Sequence, residues 1–316
     1  MSDNVIKIRG LTKRYGKITA VSDLDLNVPS GTIFGFLGPN GAGKTTVIKS
    51  ILGLTTPTNG EIEVFGKNLY LKKSEILSSI GAVVEAPALF AEFSAFENLK
   101  YLTRLSGKIS KKKIEETLEI VGLSYTGKQR VGTFSYGMKQ RLGIAQALLP
   151  ENKLIFLDEP TNGLDPHGIL GVRNLIRKLS SEFNVSVFLS SHLLSEVEQL
   201  CEYVTIIDKG VKICESRVSD LMKAQEQIEI VVAERGDFAK FADKMNLKVI
   251  RENKIDHSAH TMFSIEGKEE DIPALTRELT EENIDIYRIT KHQNRLEDIF
   301  VELTGKNSDP SGSDRF

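Results

Sequence analysis

A run of glycine, lysine and threonine residues has the composition and spacing of a phosphate-binding loop. It fits the pattern G-x-x-x-x-G-K-[ST] and consists of Gly38, Pro39, Asn40, Gly41, Ala42, Gly43, Lys44, Thr45 and Thr46. The backbone N–H groups of such a loop and the positive end of the following helix dipole form a cradle for anions. The run therefore predicts a site for the phosphates of a nucleoside triphosphate. Lys44 would reach the β- and γ-phosphates, and the Thr45 hydroxyl would bind Mg²⁺.

Two consecutive carboxylates form a second group of residues that could take part in catalysis. Residues 154–157 are all apolar and precede Asp158 and Glu159, which predicts a buried parallel strand that delivers acids at its carboxyl end. Mg²⁺ prefers hard oxygen ligands, so Asp158 suits it together with Thr45. Glu159 could then polarise an attacking water, an effect that is typically worth ~10²–10⁴-fold. His192 follows another apolar run and could hydrogen-bond a γ-phosphate.

The elements that must position these residues are strands and helices in alternation. The loop follows an apolar run at residues 32–37 and precedes a predicted helix at residues 45–52. Other predicted strands cover residues 5–11, 21–28, 60–66, 80–84 and 185–189, with a hairpin at 204–213, and residues 87–149 have a helical pattern. Tyr15 lies between the first two strands, on a predicted loop. Its ring could stack on a nucleobase or simply pack in the turn, and both interpretations stay open.

Composition restricts the class of protein. The chain of 316 residues is 40% hydrophobic and 27% charged, with a net charge of −2, so no overall basic field favours nucleic acid as a partner. No apolar run approaches the ~18–20 residues that span a bilayer, and the first residues do not resemble a signal peptide. Cys201 and Cys214 are too few for a disulfide framework. We expect a cytoplasmic protein.

These ordered motifs resemble the nucleotide-binding subunits of ABC transporters over about residues 5–221. The resemblance implies an ATP site with Mg²⁺ that is completed between two subunits. It implies an adenine-stacking aromatic ring, contacts from a signature sequence of the facing subunit, a metal-binding aspartate, a catalytic glutamate, a subunit-coupling loop and a switch histidine. The residues that match are Tyr15, Ser135 and Gly137, Asp158, Glu159, the loop Asn162-Gly163-Leu164-Asp165, and His192.

Two departures from the family pattern carry information. The signature is usually Leu-Ser-Gly-Gly-Gln, whereas this chain has Phe-Ser-Tyr-Gly-Met at residues 134–138, which keeps the serine and one glycine. Glu85 replaces a glutamine that touches the metal in most of the family. A carboxylate can still ligate Mg²⁺, although it adds negative charge near the phosphates. This replacement resembles the pattern of the bacitracin-resistance and lantibiotic self-immunity ATPases. Neutral drift at this position is the alternative.

A second domain is predicted beyond the ATPase core. Residues 222–227 read as a linker, and residues 228–305 as a strand-helix-strand-strand-helix-strand order that is typical of a ferredoxin-like domain. A last amphipathic helix is predicted at residues 296–303, and the polar tail 306–316 is predicted to be disordered. We expect this extension to serve regulation or dimer contact.

The resulting prediction is an α/β fold of the P-loop NTPase class. An ABC ATPase core spans residues 1–221, with an antiparallel β lobe and a helical lobe at about residues 87–150, and a small α+β domain follows. The resemblance implies an ATP-hydrolysing subunit of an exporter of drugs or peptide antibiotics. It would form an ATP-sandwiched homodimer on the inner face of the cell membrane, beneath a separate polytopic permease. The alternative is a soluble ABC ATPase that acts on ribosomes or nucleic acid.

Three phenylalanines that follow Glu85 in sequence are candidates for a contact with the permease. Phe90, Phe93 and Phe96 lie at the start of the predicted helical lobe. They could border a groove that receives a cytoplasmic helix of the permease, or they could be ordinary core of the lobe. The sequence does not distinguish the two.

Overall fold

The computed structural model describes residues 4–106, 109–150, 152–223, 227–233, 235–255, 260–292, 296–297 and 299–300. The chain divides into two compact units, Met1–Val218 and Ser219–Phe316. Within the described residues, no helix has both the length and the apolar character needed to cross a bilayer.

The first unit alternates strands and helices along the chain. Its strands are β1 (Asn4–Tyr15), β2 (Ile18–Pro29), β3 (Ile33–Leu37), β4 (Asn59–Val64), β5 (Lys67–Asn68), β6 (Ile80–Val83), β7 (Leu154–Asp158), β8 (Ser186–Ser191), β9 (Tyr203–Asp208) and β10 (Val211–Arg217). Its helices are α1 (Lys44–Ile51), α2 (Lys73–Leu77), α3 (Ala95–Ser106), α4 (Lys111–Ile120), α5 (Tyr136–Leu148), α6 (Pro166–Phe183) and α7 (Leu194–Leu200), and α8 (Val218–Lys223) begins at the boundary between the units.

The predicted antiparallel lobe is confirmed as a sheet of order β2-β1-β4-β5. Its strands alternate, so that Ile6 and Ile8 are buried while Lys7 is only partly buried. β1 and β2 are longer than predicted, because shifts of register let the ribbon twist and continue pairing until Tyr15 lies opposite Ile18. The predicted loop position of Tyr15 was therefore wrong, since the residue ends a strand.

A six-stranded sheet of order β10-β9-β3-β8-β7-β6 forms the centre of the first unit. The strands from β6 to β9 are parallel, and β10 pairs antiparallel with β9. β3, β7 and β8 are buried along their whole length, as their continuous apolar runs predict. Phe188 packs against Phe34, Phe36 and Phe156 at ring-centroid distances of 5.7, 5.6 and 5.3 Å.

The helical lobe contains α3, α4 and α5. The helical pattern predicted over residues 87–149 is interrupted after α4, where Gly122 and Gly127 adopt positive φ angles of 65° and 55°. Two short 3₁₀ turns, Ser124–Thr126 and Val131–Thr133, follow. The predicted N-cap at Ser135 is confirmed, because its side chain accepts a hydrogen bond from the Met138 N–H at the start of α5.

Over residues 227–292, the described part of the second unit forms one antiparallel sheet and two α-helices. In chain order they are β11 (Gln227–Val232), α9 (Arg235–Lys244), β12 (Val249–Lys254), β13 (Thr261–Glu266), α10 (Ile272–Glu281) and β14 (Ile286–His292), and the sheet order is β12-β13-β11-β14. Phe238 stacks on Phe263 at 4.3 Å within its own apolar core. The predicted order of strands and helices is found. Half of the predicted last helix, residues 298 and 301–303, and all of the tail 306–316 lie outside the described residues, as do linker residues 224–226.

Candidate nucleotide site

The phosphate-binding loop is closely packed and holds its lysine inside. Lys44 is only 5% exposed and donates from Nζ to the carbonyl oxygens of Gly38, at 2.8 Å, and Pro39, at 3.2 Å. Gly43 has a φ of +106°, and a Cβ atom there would lie 2.5 Å from the carbonyl oxygen of Ala20. Glycine is therefore required at position 43 both for its backbone conformation and for space.

The predicted metal ligands Thr45 and Asp158 are adjacent. The Thr45 hydroxyl donates to Asp158 Oδ2 at 3.0 Å. The other carboxylate oxygen, Oδ1, accepts a short hydrogen bond from Ser190, which is paired with Asp158 across β7 and β8. Hydroxyl and carboxylate oxygens are ligands that suit Mg²⁺, so Thr45 and Asp158 fit this ion. Ser190 was not predicted, although its position at the end of an apolar strand was a usable signal.

Glu159 is the centre of a polar cluster that includes Lys44 and His192. Its Oε1 lies 3.3 Å from Lys44 Nζ, and its Oε2 lies 3.1 Å from His192 Nδ1 and 3.3 Å from Asn162 Nδ2. The Glu159 N–H donates to the Ser190 hydroxyl at 3.0 Å. Its φ of +48° is uncommon for a residue with a side chain. The structure thus brings together Lys44, Glu159 and His192, as expected.

Glu85 lies close to the loop helix but is held by another residue. Its Oε1 is 3.0 Å from Lys49 Nζ, and both side chains are partly exposed to solvent. The hydrogen bond and the negative charge of Glu85 raise the pKa of Lys49. The contact described for Glu85 is therefore with Lys49, not with Thr45 or Asp158. Lys49 was not singled out from the sequence, although it follows Thr45 by four residues on the same face of α1.

Tyr15 presents an exposed ring at the end of β1. The residue is 48% exposed, and Lys13 Nζ lies 4.8 Å from the ring centroid. The stacking of this ring on a nucleobase stays a prediction.

The remaining predicted site residues lie where α5 meets α6. Ser135 caps α5, and a Cβ on Gly137 would lie 3.4 Å from Gly168 of α6. Asp165 accepts from the Gly168 N–H at 2.6 Å and caps α6. None of the hydrogen bonds described for these three residues reaches the Glu159 cluster of the same chain.

Comparisons with known proteins decide the family. A family model described as ABC transporter matches residues 21–162. A bacitracin transport ATP-binding protein of Bacillus licheniformis is 44% identical, over 95% of this chain and 97% of its own length. The chain belongs to the ABC transporter ATP-binding proteins. A lantibiotic transport ATP-binding protein of Streptococcus pyogenes is 42% identical, over 67% of this chain and 90% of its own length.

Solved ABC cassettes have the same core. The structure of cbiO1 from Clostridium perfringens, part of the transporter complex cbiONQ, matches with a TM-score of 0.64 and 25% identity, over 77% of this chain and 96% of that chain. A dimeric ATP-binding cassette with bound ADP and phosphate matches with a TM-score of 0.60 and 25% identity, over 67% and 98%. The predicted ABC ATPase fold with an antiparallel β lobe is therefore confirmed. The chain is an ABC transporter ATPase.

Replacing Gly43 with alanine should abolish tight ATP binding. The new Cβ would collide with the Ala20 carbonyl in a backbone conformation that alanine disfavours, so we expect ATP affinity to fall by roughly 10–100-fold. Gly171→Ala is the control, because this glycine in α6 has open space around its Cβ position. Titration with a fluorescent ATP analogue measures the effect, and wild-type affinity in Gly43→Ala would contradict the description of the loop.

Proposed function

We propose that this ATPase powers the expulsion of peptide antibiotics or related drugs through a separate membrane permease. The observation that carries the proposal is an intact Lys44–Glu159–His192 cluster in a chain 44% identical, over almost its full length, to a bacitracin transport ATP-binding protein. The 42% identity to a lantibiotic transport ATP-binding protein supports the same class of cargo. The chain would act on the inner face of the cell membrane, and its net charge of −2 gives no support for nucleic acid as a partner.

Binding of ATP would exchange the partners of Lys44. The phosphate loop would receive the β- and γ-phosphates, and Lys44 would turn from the carbonyls of Gly38 and Pro39 to phosphate oxygens. Thr45 and Asp158 would hold Mg²⁺, which when bound would neutralise part of the phosphate charge. The exposed ring of Tyr15 would stack on the adenine.

Hydrolysis would follow from the release of Glu159. Once Lys44 faces phosphate, the Glu159 carboxylate loses its 3.3 Å ion pair and can accept a proton from water. The water oxygen attacks the γ-phosphorus while the bond to ADP breaks, giving ADP and inorganic phosphate. Nδ1 of His192 stays with Glu159 at 3.1 Å, so His192 is positioned to sense the γ-phosphate with its other nitrogen.

A head-to-tail homodimer would complete each site. Ser135, Gly137 and Asp165 have hydrogen bonds and contacts at the junction of α5 and α6, apart from the Glu159 cluster of their own chain. In the dimer they would reach the ATP held by Lys44 of the facing subunit. The dimeric cassette solved with ADP and phosphate supports this arrangement.

Exposed aromatic residues near Glu85 suit a contact with the permease. Phe90 packs against Phe93 at 5.3 Å and against Tyr101 at 4.9 Å, and all three rings are exposed, while Phe96 is partly buried. Exposed aromatic clusters favour protein contact sites. We assign this surface to a cytoplasmic helix of the permease, which favours the groove interpretation of these phenylalanines over ordinary core.

The second unit is proposed to be a ferredoxin-like accessory domain for residues 228–305. The strands lie in the order β14-β11-β13-β12, which is fourth, first, third and second among these four strands along the chain. Every described neighbouring pair is antiparallel. Two helices follow the first and third of these strands, which gives the split strand-helix-strand pattern of that fold. Its proposed role is regulation of the ATPase or support of the dimer.

Glu159→Gln should form a stable dimer with ATP. The amide keeps the shape of the side chain but cannot take the proton from water, so the ATP-bound state should accumulate. Gel filtration should show the dimer only when ATP is present, with wild type and Lys44→Ala as controls. The same tagged variant, purified from solubilised membranes with ATP, should bring a polytopic membrane protein with it. Monomer under all conditions, or ribosomes or nucleic acid as the captured partner, would contradict the proposal.

Glu85→Gln should weaken resistance to peptide antibiotics while hydrolysis continues. The substitution removes the charge that pairs with Lys49 but leaves the Lys44–Glu159–His192 cluster untouched. We expect hydrolysis within about threefold of wild type and a clear fall in resistance of a sensitive host that also carries the permease. Glu75→Gln is the matched control, because it breaks an exposed ion pair with Lys67 elsewhere on the surface. Full resistance would mean that Glu85 has no special role.

A chain shortened after residue 222 tests the accessory domain. If residues beyond this point regulate the ATPase or support the dimer, the shortened protein should hydrolyse ATP at a rate changed by roughly twofold or more, or dimerise more weakly. Steady-state hydrolysis and gel filtration in the Glu159→Gln background measure both. Unchanged values in both assays would exclude these roles.

A further inference from the structure

A buried polar contact beneath the cluster connects the two loops that carry Glu159 and His192. The Thr161 hydroxyl donates a short hydrogen bond to Glu196 Oε2. Thr161 follows Glu159 by two residues, and Glu196 follows His192 by four, in the first turn of α7. Both residues are more than nine-tenths buried. The contact therefore lies inside the protein, directly behind the segments that present the catalytic glutamate and the switch histidine.

The burial of Glu196 is costly and only half compensated. Its second carboxylate oxygen, Oε1, is buried and has no hydrogen-bond partner among the described residues. Buried carboxylates are normally paired on both oxygens, and an apolar pair would fill the same space without this penalty. Packing alone therefore does not account for a glutamate at position 196, which points to a role for its contact with Thr161.

Thr161 directly precedes the subunit-coupling loop, residues 162–165. The Asn162 N–H donates to the Glu159 carbonyl at 3.1 Å, and the Leu164 N–H donates to the Thr161 carbonyl at 3.2 Å. These backbone bonds fold residues 159–164 into consecutive turns. A displacement of the loop at Asp165 would reach Thr161, and through Glu196 it would reach α7.

The other end of this connection is the segment that carries His192. α7 begins at Leu194, and the Ser191 hydroxyl accepts from the Leu193 N–H at 2.9 Å, so His192 is held between the strand β8 and the helix. His192 contacts Glu159 at 3.1 Å on the site side. The two segments are thus joined twice, by His192–Glu159 at the surface of the site and by Glu196–Thr161 behind it.

We propose that Thr161 and Glu196 are positioning residues that couple the subunit-coupling loop, residues 162–165, to His192. Closure of the dimer would press on residues 162–165, and the Thr161–Glu196 bond would transmit this to α7 and set His192 against the γ-phosphate. The inference rests on the proposed function, because it concerns the same hydrolysis in the same dimer. It adds a reason why hydrolysis would require the facing subunit even though Glu159 and His192 belong to one chain.

The test compares a threonine variant that loses the hydroxyl with one that keeps it. Thr161→Val removes the donor at nearly constant volume, Thr161→Ser retains it, and Glu196→Met removes the acceptor. We expect kcat for ATP to fall by roughly 10–100-fold in Thr161→Val and Glu196→Met, because a small misplacement of His192 is sufficient. KM and ATP affinity should stay within about twofold, because the hydrogen bond described for these two side chains joins them to each other and not to the phosphate loop. Thr161→Ser should be close to wild type.

The double variant Thr161→Val/Glu196→Met provides a second measurement. If both residues act through one bond, the double variant should lose no more activity than either single variant. Three outcomes would overturn this inference but not the proposed function. They are a wild-type kcat in Thr161→Val, losses of kcat that multiply in the double variant, and a loss of kcat in Thr161→Ser equal to that in Thr161→Val. If Glu196→Met does not fold, the comparison of Thr161→Val with Thr161→Ser still decides. A wild-type protein without ATP hydrolysis would instead overturn the proposed function.

Discussion

The alignment of three buried parallel strands is the constraint on which the nucleotide site depends. β3, β7 and β8 are paired so that Leu37 lies opposite Ser191 and Asp158 lies opposite Ser190. Their interiors are apolar and buried on both faces, and a shift of register would move these side chains out of alignment. The same pairing that completes the hydrophobic core therefore places the phosphate loop, the predicted metal ligand Asp158 and the segment of His192 at one edge of the sheet.

Two glutamates at this edge share an uncommon backbone conformation with a positive φ angle. Glu85 follows β6 with a φ of +64°, and Glu159 follows β7 with a φ of +48°. Residues with side chains adopt this region at a cost, and such positions are concentrated at functional sites. β6 and β7 are neighbouring parallel strands, so both glutamates leave the sheet by a similar sharp turn. Each is met by a lysine of α1, Lys49 for Glu85 and Lys44 for Glu159.

Residue patterns predicted most of the first unit because its signals are local. The phosphate loop, the apolar strands and the N-cap at Ser135 each depend on residues close in sequence. The pair Thr161–Glu196 and the bond from Ser190 to Asp158 join residues 35 and 32 positions apart, so they require the register of the sheet to be known. The full length of β1 was missed because pairing with β2 continues through irregular positions that break the alternation.

The partners of the buried lysine bear on which anions the phosphate loop accepts. Lys44 is surrounded by two carbonyl oxygens and one carboxylate oxygen, so its charge is already balanced within the chain. A cradle of this kind does not present a bare cation to the solution, and a weak anion gains little by entering it. Only a ligand that offers several negatively charged oxygens at once competes well with these internal partners. The internal partners of Lys44 thus favour a triphosphate over smaller anions with fewer charged oxygens.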